Sequence, residues 1–412
     1  MLPFMDYIQN AFYTATSWNR QNSYGTLEDT SRSLLDFPTP HGLNLHLSSL
    51  STPNFATSYT LHAIGPVTGS ISYLYSSISL SPSPGTLSST VPLPALTSSY
   101  KSLRAPVAPA ESWEYEIWHR GRRVDKASTL LYGRVFLPHS TLEALYLHRL
   151  SPANLLRLSA VSDTRLRNGG TILALLQHDT GKYTTEYLYS TDSALFGIRG
   201  LYNFGPDPLP AATTALTSND TIPPPSLLSA GAEFYYSPLN SSGGLSTGLR
   251  FTTLPSHPGF PYTMTLTLNP LMGNLTSTYA VRASRNLSLC SRFAFNLYSY
   301  ESSVQLGMEL FRRHADPYSP EQLGWAFKKL NKRKWDGDAE KIEAAKRDRE
   351  RWVREGYDAS GVLKARIDQV GRIGVLWEGR AKDLLFSCGV SVELKRRERM
   401  LGNVGLEVQY SS

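Results

Sequence analysis

The side chains of this chain that could carry chemistry do not gather into a constellation. Its nine histidines occur singly, and a lone His on a strand is far more often a satisfied structural residue than a base or a ligand. Cys290 and Cys388 have no CxxC neighbour and no His at metal spacing, so neither a zinc site nor a disulfide framework is read from them. HExxH, P-loop and Rossmann glycine patterns are all missing. The residue types therefore point away from an enzyme and assign no cofactor and no metal.

Charge and hydropathy narrow the class. Net charge is +7, but the Lys and Arg are dispersed and form no basic binding element, so no nucleic acid is expected. Only 18% of residues are charged, low for a water-facing surface. Mean hydropathy is −0.26, and no apolar run reaches the roughly 18 residues of a spanning helix. A helical membrane protein is excluded. A closed barrel remains, because alternating strands cross a bilayer while keeping mean hydropathy low.

The elements follow from the patterning. Residues 1–18 have neither a basic n-region with a long apolar core nor an Arg-rich presequence, which for a barrel favours an organelle that imports barrels from the cytosol. The sequons at Asn219, Asn240, Asn274 and Asn286 are then chance matches. Within residues 2–15, Met5, Ile8, Phe12 and Ala15 form one apolar helical stripe. Two readings stand for residues 1–40: an ordinary amphipathic helix with its leading segment, or a plug against the inside wall of a barrel.

From His41 the period changes to two. Leu43, Leu45 and Leu47 alternate with Asn44, His46 and Ser48, and Tyr262, Met264, Leu266 and Leu268 with Thr263, Thr265, Thr267 and Asn269. Such runs, of roughly the 9 to 11 residues a tilted membrane strand needs, fill 41–412 outside three long connections. The first, 79–126, is rich in Ser and Pro and then carries Trp113, Tyr115, Trp118, Arg120, Arg122 and Arg123; it reads as a lid-like loop. The second is the Pro-rich 205–226. In the third, 312–361, Glu343 with Arg347 and Glu350 with Arg354 sit four apart, which predicts an exposed charged helical insertion.

The tally is an all-β antiparallel barrel of about 19 strands. An odd count forces the first and last strands to pair in parallel. The long connections follow the third, ninth and fifteenth strands, all odd, so they emerge on one rim. Arg199, Glu233, Arg250, Arg292 and Glu309 are lumen candidates of both signs, which reads as a charge-balanced interior rather than an ion-selective ring.

Outward aromatics are more informative. Tyr73 and Tyr75 share a face, as do Tyr298 and Tyr300 at the end of another strand. Each pair is either an interfacial aromatic girdle or a protein contact, since Tyr is enriched at interfaces. On the closing strand, Leu406, Val408 and Tyr410 oppose Gly405, Glu407 and Gln409. Asn403, Gly405, Val408 and Tyr410 also resemble the sorting signal on the last strand of mitochondrial outer-membrane barrels.

Whole segments resemble one family. MLPFMDYIQNAFYTATSW at 1–18, STPNF at 51–55, GSISYLYS at 69–76, YGRVFLP at 132–138, LTLNPLMG at 266–273, FAFNLYSYES at 293–302, VLWEG at 375–379 and the terminal GLEVQYSS are similar to the fungal mitochondrial distribution and morphology proteins, member ten of that series. The resemblance spans nearly the whole chain, with the long loops its least characteristic parts. It implies a mitochondrial outer-membrane barrel of the porin type. It also implies partners: the lipid-transfer and tethering subunits of the ER–mitochondria encounter structure, and the sorting and assembly machinery with its translocase components. The expected function is an anchor and docking subunit, with Tyr73, Tyr75 and Tyr298 as first candidates for lateral contact. The competing expectations are a metabolite-conducting porin and a soluble multi-sheet β-protein.

Overall fold

In the computed structural model, nineteen strands close into one sheet. The described residues are 1–412 without 64–66, 81–84, 90, 110–115, 120–121, 126–127, 167, 207, 209–224, 258, 314–358 and 396–400. β1 (Gly42–Thr52), β2 (Phe55–Ala63) and β3 (Val67–Ser76) open the barrel. A two-stranded hairpin, β4 (Glu116–His119) with β5 (Arg122–Asp125), belongs to a separate sheet. The wall resumes with β6 (Ser128–Leu137), β7 (Thr141–Ser151), β8 (Asn154–Ser162), β9 (Gly170–Asp179), β10 (Tyr183–Ser190) and β11 (Leu195–Phe204). Next come β12 (Ser226–Ser237), β13 (Ser242–Thr253), β14 (Tyr262–Asn269), β15 (Asn274–Val281), β16 (Leu287–Asn296) and β17 (Ser302–Arg313). β18 (Ala359–Asp368), β19 (Arg372–Ala381), β20 (Leu384–Glu393) and β21 (Leu401–Ser411) complete it.

Neighbours pair antiparallel around the wall except at the seam. There β21 lies parallel to β1, with Gly42 opposite Gly405, Leu45 opposite Val408 and Ser48 opposite Ser411. The odd strand number makes this unavoidable, and closure leaves no open sheet edge. The β3–β6, β11–β12 and β17–β18 connections follow the third, ninth and fifteenth wall strands and leave from the same rim.

Alternation sorts the wall. Leu43, Tyr59, Tyr73, Leu131, Ile198, Phe234, Met264, Leu306 and Trp377 are exposed on the outside. Ser58, Ser72, Glu186, Arg250, Thr265, Glu309 and Lys364 are buried on the inside. An apolar outer face of this extent is unsuited to water and matches a bilayer. No helix among the described residues is long and apolar enough to cross a membrane; the apolar outer surface is carried by the strands.

The expected N-terminal helix forms as α1 (Phe4–Ala15), followed by a 3₁₀ turn at Tyr24–Thr26 and by α2 (Asp29–Leu35). Met5, Ile8 and Phe12 are buried as the stripe predicts, but Ala15 is exposed. The buried face is instead widened by Phe4, Tyr7 and Tyr13, because long helical side chains cover the turn before their own Cα.

The 79–126 connection is more than a lid-like loop. It holds α3 (Leu93–Leu96) and the β4–β5 hairpin, and Leu80, Val91, Leu93 and Leu96 are buried in one cluster with α1. Trp113, Tyr115 and Arg120 lie outside the described residues, as do the side chains of Trp118, Arg122 and Arg123 and the charged insertion expected between β17 and β18.

Candidate functional site: a lined lumen inside an aromatic wall

Polar strand faces of a barrel would ordinarily meet water; here part of them meets the chain's own segments. α1 sits where the inner wall turns apolar near the elaborated rim. Ala56, Leu74, Leu130, Leu147, Leu155, Val362 and Leu385 all cluster with Phe4, Met5, Ile8 and Phe12. Each fully buried side chain of this size is worth about 1.5–3 kcal/mol. The Met1 amino group ion-pairs with buried Glu378 at 2.5 Å, and the Leu2 N–H donates to the Leu96 carbonyl at 2.7 Å.

Residues 18–40 are fixed by charge and hydrogen bonds as well as by two small apolar clusters, Leu34 and Leu35 with Ala280 and Cys290, and Tyr24 and Leu27 with Leu201. The Trp18 ring takes the Arg149 guanidinium at 5.5 Å. Asn22 donates to Asp179 at 2.7 Å and accepts from Asn203 at 2.8 Å. Tyr24 meets the Ser246 hydroxyl at 2.7 Å, and burial pushes its phenol above the ordinary value, so it stays protonated. Arg292 holds both oxygens of Asp36 at 2.9 and 2.7 Å, the bidentate geometry that makes such pairs strong. Arg366 donates to the carbonyls of Leu35 and Phe37 at 2.9 and 3.1 Å and lies 4.9 Å from the Phe37 ring. It thereby satisfies orphan acceptors at the end of α2.

The wall is cut back where this segment approaches. A Cβ at Gly405 would stand 2.5 Å from the Pro40 carbonyl, and one at Gly389, directly opposite on β20, 2.6 Å from the Pro40 ring. Two glycines side by side make a flat notch for Pro40. Gly231 does the same for Tyr24, whose ring carbon would lie 2.6 Å from a Cβ there.

The first long connection completes the lining. Lys364 bridges Glu309, at 3.7 Å, and the Ser98 carbonyl. The Tyr100 N–H donates to Glu309 at 3.3 Å. Arg380 donates to the carbonyls of Ser89 and Val91. Among the residues expected in the lumen, Arg199 pairs with Glu233 at 3.2 Å and with Glu186 at 3.6 Å. The interior is polar and of both signs as anticipated, yet many of its partners come from residues 1–40 and 77–104, which no local pattern identifies.

The outer candidates separate into different settings. Tyr73 and Tyr75 are 47% and 48% exposed on the outer wall near the elaborated rim, with Tyr73 stacked on Phe55 at 6.0 Å. Tyr298 lies past β16, in the short turn to β17 on the opposite rim. Its hydroxyl donates to the Pro270 carbonyl at 2.7 Å and its ring covers Gly273, tying two neighbouring turns together. The three tyrosines therefore form no single patch. On β21, Val408 and Tyr410 point outward with Leu406, while Gly405 faces the lumen; the Asn403 N–H donates to Ser391 at 2.8 Å. Among the described residues no three potential metal ligands converge.

The family model described as mitochondrial distribution and morphology protein 10 matches residues 1–412. The chain belongs to that family. It is 58% identical to the protein of that name from Phaeosphaeria nodorum and 53% identical to that from Sclerotinia sclerotiorum, each over the whole of both chains. The protein of that name from Emericella nidulans is 48% identical, covering 95% of this chain and 90% of the other. As a member of the family, the chain is a mitochondrial β-barrel with a role in mitochondrial distribution and morphology.

Proposed function

We propose that this member of the family is a non-enzymatic anchor and docking platform of the mitochondrial outer membrane. It would hold lipid-transfer and tethering subunits of the ER–mitochondria encounter structure against the membrane, and serve the sorting and assembly machinery while barrels and translocase components mature. The observation that carries this reading is the attachment of the chain's own N-terminal segment and first long connection to the inner wall. Residues 1–40 and 77–104 are fixed to the inner wall by contacts such as Met1 with Glu378 and the Ser98 carbonyl with Lys364, which narrow the lumen and favour the outer wall and the elaborated rim as the working surfaces.

Planar-bilayer recording of the purified protein tests the platform against a metabolite pore. A silent barrel is expected; a large, stable open state would replace this reading with conduction. Alkaline carbonate should leave the protein in the membrane pellet, whereas a soluble β-protein would be extracted.

Tyr73 and Tyr75 are the proposed lateral contact, and Tyr298 a second on the other rim. The double variant Tyr73→Ala, Tyr75→Ala should lose one complex in separate pull-downs. Both complexes surviving intact would reduce the pair to an aromatic girdle. Asn403, Gly405, Val408 and Tyr410 are proposed as the membrane-insertion signal. Because Gly405 also receives Pro40, the outward pair Val408→Ser, Tyr410→Ser is the cleaner test: a fall in integration without loss of the folded core supports a signal.

A further inference from the structure

The rim opposite the long connections has a step in it. β14 and β15 have eight residues each, the one wall hairpin among the described strands in which both are so short, whereas β12 and β13 have 12 each. At about 3.4 Å per residue and a tilt near 45°, eight residues rise roughly 20 Å, less than the ~25 Å apolar band of a membrane barrel. The deficit falls on this rim. The β13–β14 ladder ends at Thr247 with Leu268, and residues 242–246 of β13 run on beyond it. Along that overhang the outward side chains stay apolar. Two further outward rows, Phe234 with Leu245 and Tyr236 with Gly243, follow the last one shared with β14, and Phe234 and Tyr236 are exposed. Lipid that covers Tyr236 therefore stands higher than the tip of the β14–β15 hairpin.

The residues at that tip fit such a position. Pro270 and Gly273 supply the turn, the first by its fixed φ and the second by a φ of +67°. Leu271 and Met272 between them are 58% and 63% exposed, and the turn itself does not require their apolar side chains. Beside it lies the β16–β17 turn, tied on by the Leu297 N–H to the Gly273 carbonyl at 2.7 Å, and it exposes Leu297, Tyr298 and Tyr300. Its charged residue, Glu301, takes the lumen side of the alternation, opposite Asn296. Elsewhere on this rim the turns expose His139, Arg165 and Asp192, the polar tips that suit water. Large apolar side chains gathered at two adjoining tips mark a surface that is covered in use.

We propose that this notch in the rim is immersed in the bilayer, with phospholipid acyl chains lying over Leu271 and Met272 and with Tyr298 and Tyr300 as its interfacial aromatics. The occupant is lipid because the surface continues into the lipid-facing wall through Leu266 and Phe293, both exposed, whereas a protein-docking patch is bounded by a polar rim. Tyrosine also favours the headgroup level. A wall shorter than the hydrocarbon is accommodated by thinning the bilayer, so the leaflet on this rim is pinched beside β14 and β15. The inference rests on the outer-membrane reading above and goes beyond it.

Fluorescence quenching of the full-length barrel in vesicles of dioleoyl phosphatidylcholine tests the site. An environment-sensitive dye on Met272→Cys, in a Cys290→Ala, Cys388→Ala background, is compared with the same dye on Asp192→Cys. The label at position 272 should be quenched by phosphatidylcholine carrying a nitroxide midway along its acyl chain, and several-fold less than the label at 192 by aqueous iodide. Leu271→Cys supplies the same measurement if the first variant does not fold. Iodide quenching as strong at 272 as at 192 would overturn the inference. Protection from both quenchers would overturn it too, since a second barrel would then be covering the turn. Release of the unlabelled barrel from these vesicles by alkaline carbonate would sink the outer-membrane reading as well, whereas a retained barrel with position 272 in water sinks this inference alone.

Discussion

Residues 4–15 rest on the inner wall chiefly through apolar side chains, whereas residues 22–40 add hydrogen bonds and charge to the burial of Leu27, Leu34, Leu35 and Phe37. α1 buries Ile8 and Phe12 completely against Leu74, Leu130 and Leu147. The later stretch has Tyr24 on Ser246, Asp36 on Arg292 and the α2 carbonyls on Arg366. The difference lies in what each part of the wall offers. Close to the elaborated rim the inward residues are leucines; further around they are hydroxyls and charged groups. Apolar contact is not subject to charge screening and tolerates sliding, while hydrogen bonds and ion pairs fix register, and the exposed ion pairs among them weaken as salt rises. One part keeps the segment in and the other sets where it lies.

The comparison breaks most visibly at α1. Phe12→Ala should cost about 3–5 kcal/mol of docking energy, the usual penalty for emptying an aromatic site in a core. Limited proteolysis of the detergent-solubilised barrel should then cut within residues 1–18 while the segment around Tyr24 to Pro40 remains protected. Cleavage throughout residues 1–40 would show that the two modes of attachment are one cooperative unit.

Gly405→Val comes next. The new side chain meets Pro40 backbone atoms, and overpacking of this kind typically costs about 1–3 kcal/mol. The carbonate-resistant fraction should fall, and Gly389→Val, aimed at the same proline from β20, should reproduce the defect. A normal Gly389→Val barrel beside a defective Gly405→Val would instead assign the effect to an insertion signal.

Smaller effects sharpen the polar side. Tyr24→Phe removes one hydrogen bond and leaves the ring seated on Gly231, so a loss of about 1 kcal/mol is expected in chemical denaturation. Asp36→Asn should cost about 1 kcal/mol or less, since Asp36 is itself 47% exposed. Its effect should shrink as salt rises, while that of Phe12→Ala should not.

Much of the wall was legible in the order of residues. The period of two in Leu43 to Ser48 and in Tyr262 to Asn269 is imposed by strand geometry, so it survives whatever surrounds it. The odd count then dictated parallel closure, and β21 does run parallel to β1, with Gly42 opposite Gly405. Ends were less legible: β16 stops at Asn296, which leaves Tyr298 in a turn. The α1 stripe was readable from helical spacing, but Ala15 was not placed by it, because larger side chains took the buried surface.

The sequence by itself determined a closed wall with an apolar outside and a polar inside, because alternation and parity are local or countable properties. Tertiary structure alone decided that residues 1–40 lie against the inside of the wall. Asp36 with Arg292, Leu35 with Arg366 and Pro40 with Gly405 bring together residues hundreds of positions apart. A polar side chain facing a buried partner has the same one-dimensional pattern as one facing water, and only the folded barrel distinguishes them.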